Sequence, residues 1–144
     1  MKRMLLLGPS QSGKTTLLQC LRREPLVYQK TQTMIYQPDA IDSPGEYIEN
    51  RHFYNALLSS AYEADVVGLV QNIDSENCYF SPMFSTLFNR PVIGIITKSD
   101  IIVGEKQRDF INNQLRQAGA DPLFIVSATQ RESLTPLLMY LNDT

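Results

Sequence analysis

The sequence predicts an α/β fold of three layers, a mostly parallel sheet with helices on both faces. Three observations carry this. Short apolar runs alternate with longer amphipathic runs along the whole chain. A glycine-bounded polar turn directly follows the first apolar run. Further polar motifs each close an apolar run, which is where open α/β sheets place their ligands.

Taken in order, residues 3–7 read as a first strand, apolar on both faces. Residues 14–23 read as a helix with Leu17, Leu18 and Leu21 on one side. The polar stretch 24–40 has weak strand character only at 34–36, and residues 40–42 form a strand ending in Asp42. A second helix is expected over 50–61, with Phe53, Leu57, Leu58 and Ala61 inward. Strands at 66–70 and 92–97 follow, then a helix over 105–118 that Gly119 stops. Residues 123–126 are a further strand. The last helix starts near Ser133, admits Pro136 in its first turn and buries Leu134, Leu137, Leu138 and Leu141.

Two segments depart from this rhythm. At about 3.3 Å per residue, the stretch from Thr31 to Asp42 allows one short strand and a turn. A hairpin before Asp42 is therefore expected to be truncated or absent, leaving the sheet edge open. Residues 72–91 form a loop rich in Ser, Pro and Asn, with Phe80, Phe84 and Phe88 at helical spacing and Ser81-Pro82 as a helix start. Those rings either cover the core or face a partner.

The 144 residues suit one domain, 1–144, with a substantial core. A net charge of -2 and a pI near 5.3 argue against a non-specific nucleic-acid binder, which needs a basic surface. Cys20 and Cys78 show no metal-ligand spacing, so a reduced cytoplasmic setting is the default. No apolar run reaches membrane-spanning length, and no membrane role is expected. His52, the single histidine, reads as a surface residue.

The chemistry begins at Gly8-Pro9-Ser10-Gln11-Ser12-Gly13-Lys14-Thr15, followed by Thr16. This pattern, set between a strand and a helix, is a phosphate loop. Its N–H groups form an anion nest at the helix N-terminus, Lys14 reaches the outer phosphates, and the Thr15 hydroxyl ligates magnesium. Asp42-Ser43-Pro44-Gly45 is a second element. Asp42 can hold magnesium through a water, and Gly45 can offer its N–H to the terminal phosphate. Thr31, with Thr33 as the alternative, is the candidate to complete the metal shell.

Thr97-Lys98-Ser99-Asp100 closes the strand expected over 92–97. Asp100 can accept from the N1–H and exocyclic amine of guanine, neither of which adenine presents there. The Lys98 stem can cover the base. Ser127-Ala128-Thr129 follows the next strand, and a backbone N–H there can donate to guanine O6.

In this order the motifs resemble those of a Ras-like small GTPase over nearly the whole chain. More narrowly, M-K-R, G-P-S-Q-S-G-K-T-T, Y-Q-K-T-Q, A-I-D-S-P-G-E-Y-I-E-N-R, E-A-D-V-V and N-R-P-V-I-G-I-I-T-K-S-D resemble the EutP/PduV family, closer to its propanediol-utilisation branch. The resemblance implies a place beside bacterial microcompartments that degrade 1,2-propanediol or ethanolamine, with shell or pathway proteins as partners. Three residues depart from the wider GTPase pattern: Thr97 for Asn, Thr129 for Lys, and Glu46 for Gln after Gly45. Glu46, at the catalytic position with Lys14 and Gly45, is repelled by the terminal phosphate, so hydrolysis is expected to be slow. The expected ligands are Mg2+ and GTP or GDP. ATP remains the alternative, in an ATPase or small-molecule kinase of the same pathway, and a non-catalytic nucleotide-binding module is the third reading.

Overall fold

The computed structural model describes residues 1–24, 31 and 33–143. Among the described residues, six strands form one sheet in the order β2-β3-β1-β4-β5-β6. They are β1 (Met4–Leu7), β2 (Ile35–Tyr36), β3 (Ala40–Asp42), β4 (Val66–Asn72), β5 (Val92–Thr97) and β6 (Leu123–Ile125). All neighbouring pairs are parallel except β2–β3. The fold is thus α/β with a mixed, mostly parallel sheet.

The four residues of β1 are all buried, because successive side chains point to opposite faces and both faces are covered. Leu5 and Leu7 pack with Leu57 and Ala61 of α3 (Tyr54–Ala61) and with Ile111 and Leu115 of α4 (Glu105–Gln117). Met4 and Leu6 pack with Leu17 and Leu18 of α1 (Lys14–Leu21) and with Leu137 and Leu141 of α5 (Thr135–Asn142). Arg22, just past α1, clamps Asp39 ahead of β3 through Nε and Nη2 at 2.8 and 2.7 Å. This guanidinium hydrogen bond holds the Asp39 carboxyl below its ordinary range.

The hairpin ahead of Asp42 is two residue pairs long, Ile35 with Asp42 and Tyr36 with Ile41. β2 is an edge strand whose two side chains are exposed.

Several expected boundaries shift. The helix expected over 50–61 is interrupted, since Asn50 is extended and its side chain accepts from the His52 N–H. A 3-10 turn (Arg51–Phe53) leads from there into α3, and a short helix α2 (Gly45–Glu49) precedes it. Asn competes for local backbone donors in this way, which apolar periodicity does not register. β4 runs on through Gln71 and Asn72, where the buried Gln71 amide nitrogen donates to Ser75 Oγ and to the Asn77 carbonyl while its Oε1 has no partner. No α-helix starts at Ser81-Pro82. Met83 takes a left-handed conformation (φ 61°), and only a 3-10 turn (Phe84–Leu87) follows. Phe80, Phe84 and Phe88 nevertheless point into the core in mutual contact, with centroids 5.5 Å apart in each successive pair. Ser133 lies in a 3-10 turn (Arg131–Leu134) ahead of α5 rather than within that helix. His52 is exposed, and both cysteines are free, Cys20 buried and Cys78 exposed.

Candidate functional site

The turn between β1 and α1 lies at the C-terminal edge of the sheet. Gly13 (φ 98°) supplies the left-handed residue that turns the chain into α1. Lys14 is 6% exposed, and its ammonium donates to the carbonyls of Gly8 at 2.7 Å and Pro9 at 3.2 Å. Burial pushes its pKa down to about 8, against the opposing fields of Asp42 and Glu49. Pro9 and Ser12 are buried, whereas Ser10 and Gln11 are exposed on the loop.

Residues from three parts of the chain meet beside this loop. The hydroxyls of Thr15 and Thr31 both donate to Asp42 Oδ2, at 2.8 and 3.2 Å, and lie 3.1 Å apart. Asp42 is 4% exposed, and its Oδ1 is buried without a partner. Thr31 joins this cluster, and Thr33 is exposed. Tyr28, Gln29, Lys30 and Gln32 of the Y-Q-K-T-Q stretch lie outside the described residues. Two hydroxyls and an orphaned carboxylate oxygen fit a hard cation such as Mg2+. Among the described residues no group of three or more His, Cys, Asp or Glu side chains could hold a metal. A cation here would therefore depend on ligands supplied by phosphate and water.

Gly45, the first residue of α2, closes against the loop. A Cβ on Gly45 would stand 2.1 Å from the Ser10 nitrogen and 2.5 Å from its Cα. Ser43 fixes this turn by donating to the Leu6 carbonyl at 2.6 Å. Glu46, in the first turn of α2, is exposed.

The remaining motifs meet at the other end of the loop. Thr97 is buried, and its hydroxyl donates to the Ser12 carbonyl. Lys98 (φ 58°) reaches back to the Gln11 carbonyl at 2.8 Å. Asp100 is exposed, and its Oδ1 accepts from the Ser127 hydroxyl at 2.8 Å. Ser127 is itself fully buried and lies 2.8 Å from the Thr129 hydroxyl. It therefore orients Asp100 rather than presenting a surface of its own. A cavity of about 60 Å³ between Gly13, Thr16, Thr97, Lys98 and Ala128 lies between the two strand ends.

Three positioning residues were not legible beforehand. Ser43 is one. Ser133 accepts from the Ser127 N–H at 2.8 Å, and Arg131 donates to the Cys20 carbonyl at 2.7 Å, tying this loop to the end of α1. Each acts through backbone groups brought together by folding, and no local pattern signals that.

The Lys14 ammonium sets a pH dependence. In the free protein it is protonated below about pH 8. Anion binding that uses the charged form should be flat below that value and weaken above it. From about pH 7 to about pH 9.5 the affinity for an anion held by this ammonium is expected to fall by about 30-fold. Titration calorimetry across that range checks this, and a flat profile contradicts it.

Fold and site define an α/β protein with a phosphate-loop-like turn at the C-terminal edge of a mostly parallel sheet. The chain belongs to the PduV-EutP family (ethanolamine utilisation - propanediol utilisation), whose model matches residues 1–143. It is 48% identical over 142 residues to the propanediol utilization protein PduV of Citrobacter freundii, covering 99% of this chain and 94% of that one. It is 26% identical over 144 residues to a protein of Escherichia coli K12 named "Probable acetate kinase EutP", covering 98% of this chain and 89% of the relative. The protein of that name from Salmonella typhimurium is 27% identical over the same length. No helix among the described residues is long and apolar enough to cross a membrane.

Proposed function

We propose that this chain is a small P-loop protein that binds GTP with Mg2+ and hydrolyses it slowly to GDP and phosphate, serving propanediol or ethanolamine utilisation in the cytoplasm beside a microcompartment. The observation that carries the reading is the convergence of Thr15, Thr31 and Asp42 beside the Lys14 loop, with Asp42 Oδ1 buried and unpaired. Lys14 would hold the outer phosphates, and Thr15, Thr31 and Asp42 would hold the cation that neutralises them. The Gly45 N–H would face the terminal phosphate, and the Lys98 stem and Asp100 would hold the base. Ala128 N–H makes no hydrogen bond to another described residue, which leaves it for the guanine O6.

With Glu46 in place of an amide beside Gly45, turnover of the isolated protein is expected at about 10⁻⁴ to 10⁻² s⁻¹. Phosphate release at tens per second would refute this.

Base choice tests the nucleotide. GTP is expected to outcompete ATP by roughly 100-fold, about 2.7 kcal/mol. Asp100→Asn should lose GTP and gain XTP, because an amide can donate to the C2 carbonyl of xanthine where the carboxylate faces it acceptor to acceptor. Competition of labelled GTP against ATP and XTP decides. Equal affinities for ATP and GTP, with no gain of XTP, would remove Asp100 from base reading.

A second reading follows from the two relatives named probable acetate kinase, and from Thr97 and Thr129 at the base end. The chain would then pass the terminal phosphoryl group of ATP to the carboxylate of acetate, forming acetyl phosphate and ADP. Acetate-dependent consumption of ATP, with the acetyl phosphate trapped by hydroxylamine as acetohydroxamate, would favour it over hydrolysis of GTP.

A further inference from the structure

The parallel strands β4 and β5 are neighbours, and such pairs are usually joined by a crossover helix. Here the connection from Ile73 to Pro91 contains one four-residue 3-10 turn, Phe84–Leu87. Its three phenylalanines fill the core beneath α3, but its backbone does not build the thickness of a helix. What remains is a cavity of about 810 Å³ between α2–α3 and this segment, with Tyr54, Tyr79, Met83 and Leu87 on its walls. A second hollow of about 240 Å³ continues it between Leu58 of α3, Tyr62 just past that helix, and Leu87. The two share Thr86 and Leu87, so a single groove follows α3, whose eight residues span about 12 Å.

The groove is open; its larger part is more apolar than polar, and its smaller part is the more polar of the two. Met83 is 66% exposed, Leu87 46% and Tyr62 70%. The sequence from Asn77 to Asn89 carries no charged residue. Charge on the lining comes from Glu49 and Arg51 in the larger part and from Arg90 in the smaller, where Arg90 is engaged by the carbonyls of Tyr62, Ala64 and Asn89. The Glu49 charge acts on Lys14, toward the phosphate loop. The Arg51 guanidinium makes no hydrogen bond or ion pair with another described residue; only its backbone carbonyl is used, by the Tyr54 N–H. The groove thus ends in a free guanidinium, which calls for a carboxylate.

We propose that this groove docks an amphipathic helix of a partner protein, with an aliphatic face against Tyr54, Met83 and Leu87 and a carboxylate on Arg51. The helix supplies the element missing from the β4–β5 crossover. A strand is the poorer fit, because both walls are side chains and no free sheet edge lines them.

The test uses the full chain and three labelled synthetic peptides in fluorescence anisotropy. The first is helical, with leucines at i, i+3, i+4 and i+7 and a terminal Glu. The second carries Lys in place of that Glu, and the third is a scramble. The first is expected to bind with a Kd on the order of 10 μM. Leu87→Glu, an exposed position that should fold as the wild type does by circular dichroism, should weaken it at least about tenfold. Arg51→Glu should weaken the Glu peptide and strengthen the Lys peptide. Equal binding of all three peptides, or unchanged binding to Leu87→Glu, would overturn the proposal. So would dimerisation of the peptide-free chain in sedimentation that Leu87→Glu abolishes, since the occupant would then be a second copy.

Discussion

Lys14→Ala is expected to weaken binding of a magnesium nucleoside triphosphate by about three orders of magnitude, roughly 4 kcal/mol. Hydrogen bonds to charged groups are worth about 1.5–3 kcal/mol each, and the ammonium can reach oxygens on two phosphates. The site also magnifies the loss, because a 6% exposed group acts through little intervening water. In the free protein the same ammonium satisfies the Gly8 and Pro9 carbonyls, while its burial opposes the charge. Those effects offset, so the variant should keep its fold and lose its ligand. Calorimetry with Mg2+ and GTP measures the loss, alongside thermal melting of the free proteins. Affinities within about threefold of each other would contradict a phosphate-binding role for Lys14.

Gly45→Ala should cost about 2–3 kcal/mol of stability and lower the rate of GTP hydrolysis by about 100-fold. The new methyl group would stand 2.1 Å from the Ser10 nitrogen and 2.5 Å from its Cα. Both are backbone atoms of a loop held at Ser12, Lys14 and Thr97, so neither side yields cheaply. The turn must open, which carries the residue 45 N–H away from the position of a terminal phosphate. The double variant with Ser10→Gly separates causes. It removes only the Oγ at 2.5 Å and leaves the closer backbone nitrogen, so it should not restore activity. Melting and hydrolysis like wild type in Gly45→Ala, or rescue by Ser10→Gly, would show that this backbone contact does not control the site.

Much of this was legible in the residues alone. Leu5, Leu6 and Leu7 without a polar break announce a strand buried on both faces, which only a helix-covered parallel sheet provides. The motif positions followed, because each polar cluster ends such a run. Elements whose cause is a distant group were less visible. Gln71 and Asn72 look like the start of a loop, but Gln71 is buried and bonded by Ser75 and Asn77. Asn50 breaks an otherwise helical stretch by bonding the His52 N–H, a local competition that apolar periodicity does not see.

The sequence by itself therefore determined the order of the strands, the helices at 14–21, 105–117 and 135–142, and the polar turns that close the strands. These depend on local periodicity and on which residue types tolerate a left-handed or phosphate-facing backbone. Tertiary structure chose Thr31 over Thr33 as the residue beside Thr15 and Asp42, and it alone decided that Ser127 is held between Ser133 and Asp100 and that Gly45 abuts Ser10. It also decided that the β4–β5 crossover leaves a groove instead of a helix, since Met83 in a left-handed conformation and three inward phenylalanines give only a 3-10 turn. The reason is that these outcomes turn on distances between groups far apart in the chain, which the packing of the sheet faces sets and no local pattern encodes.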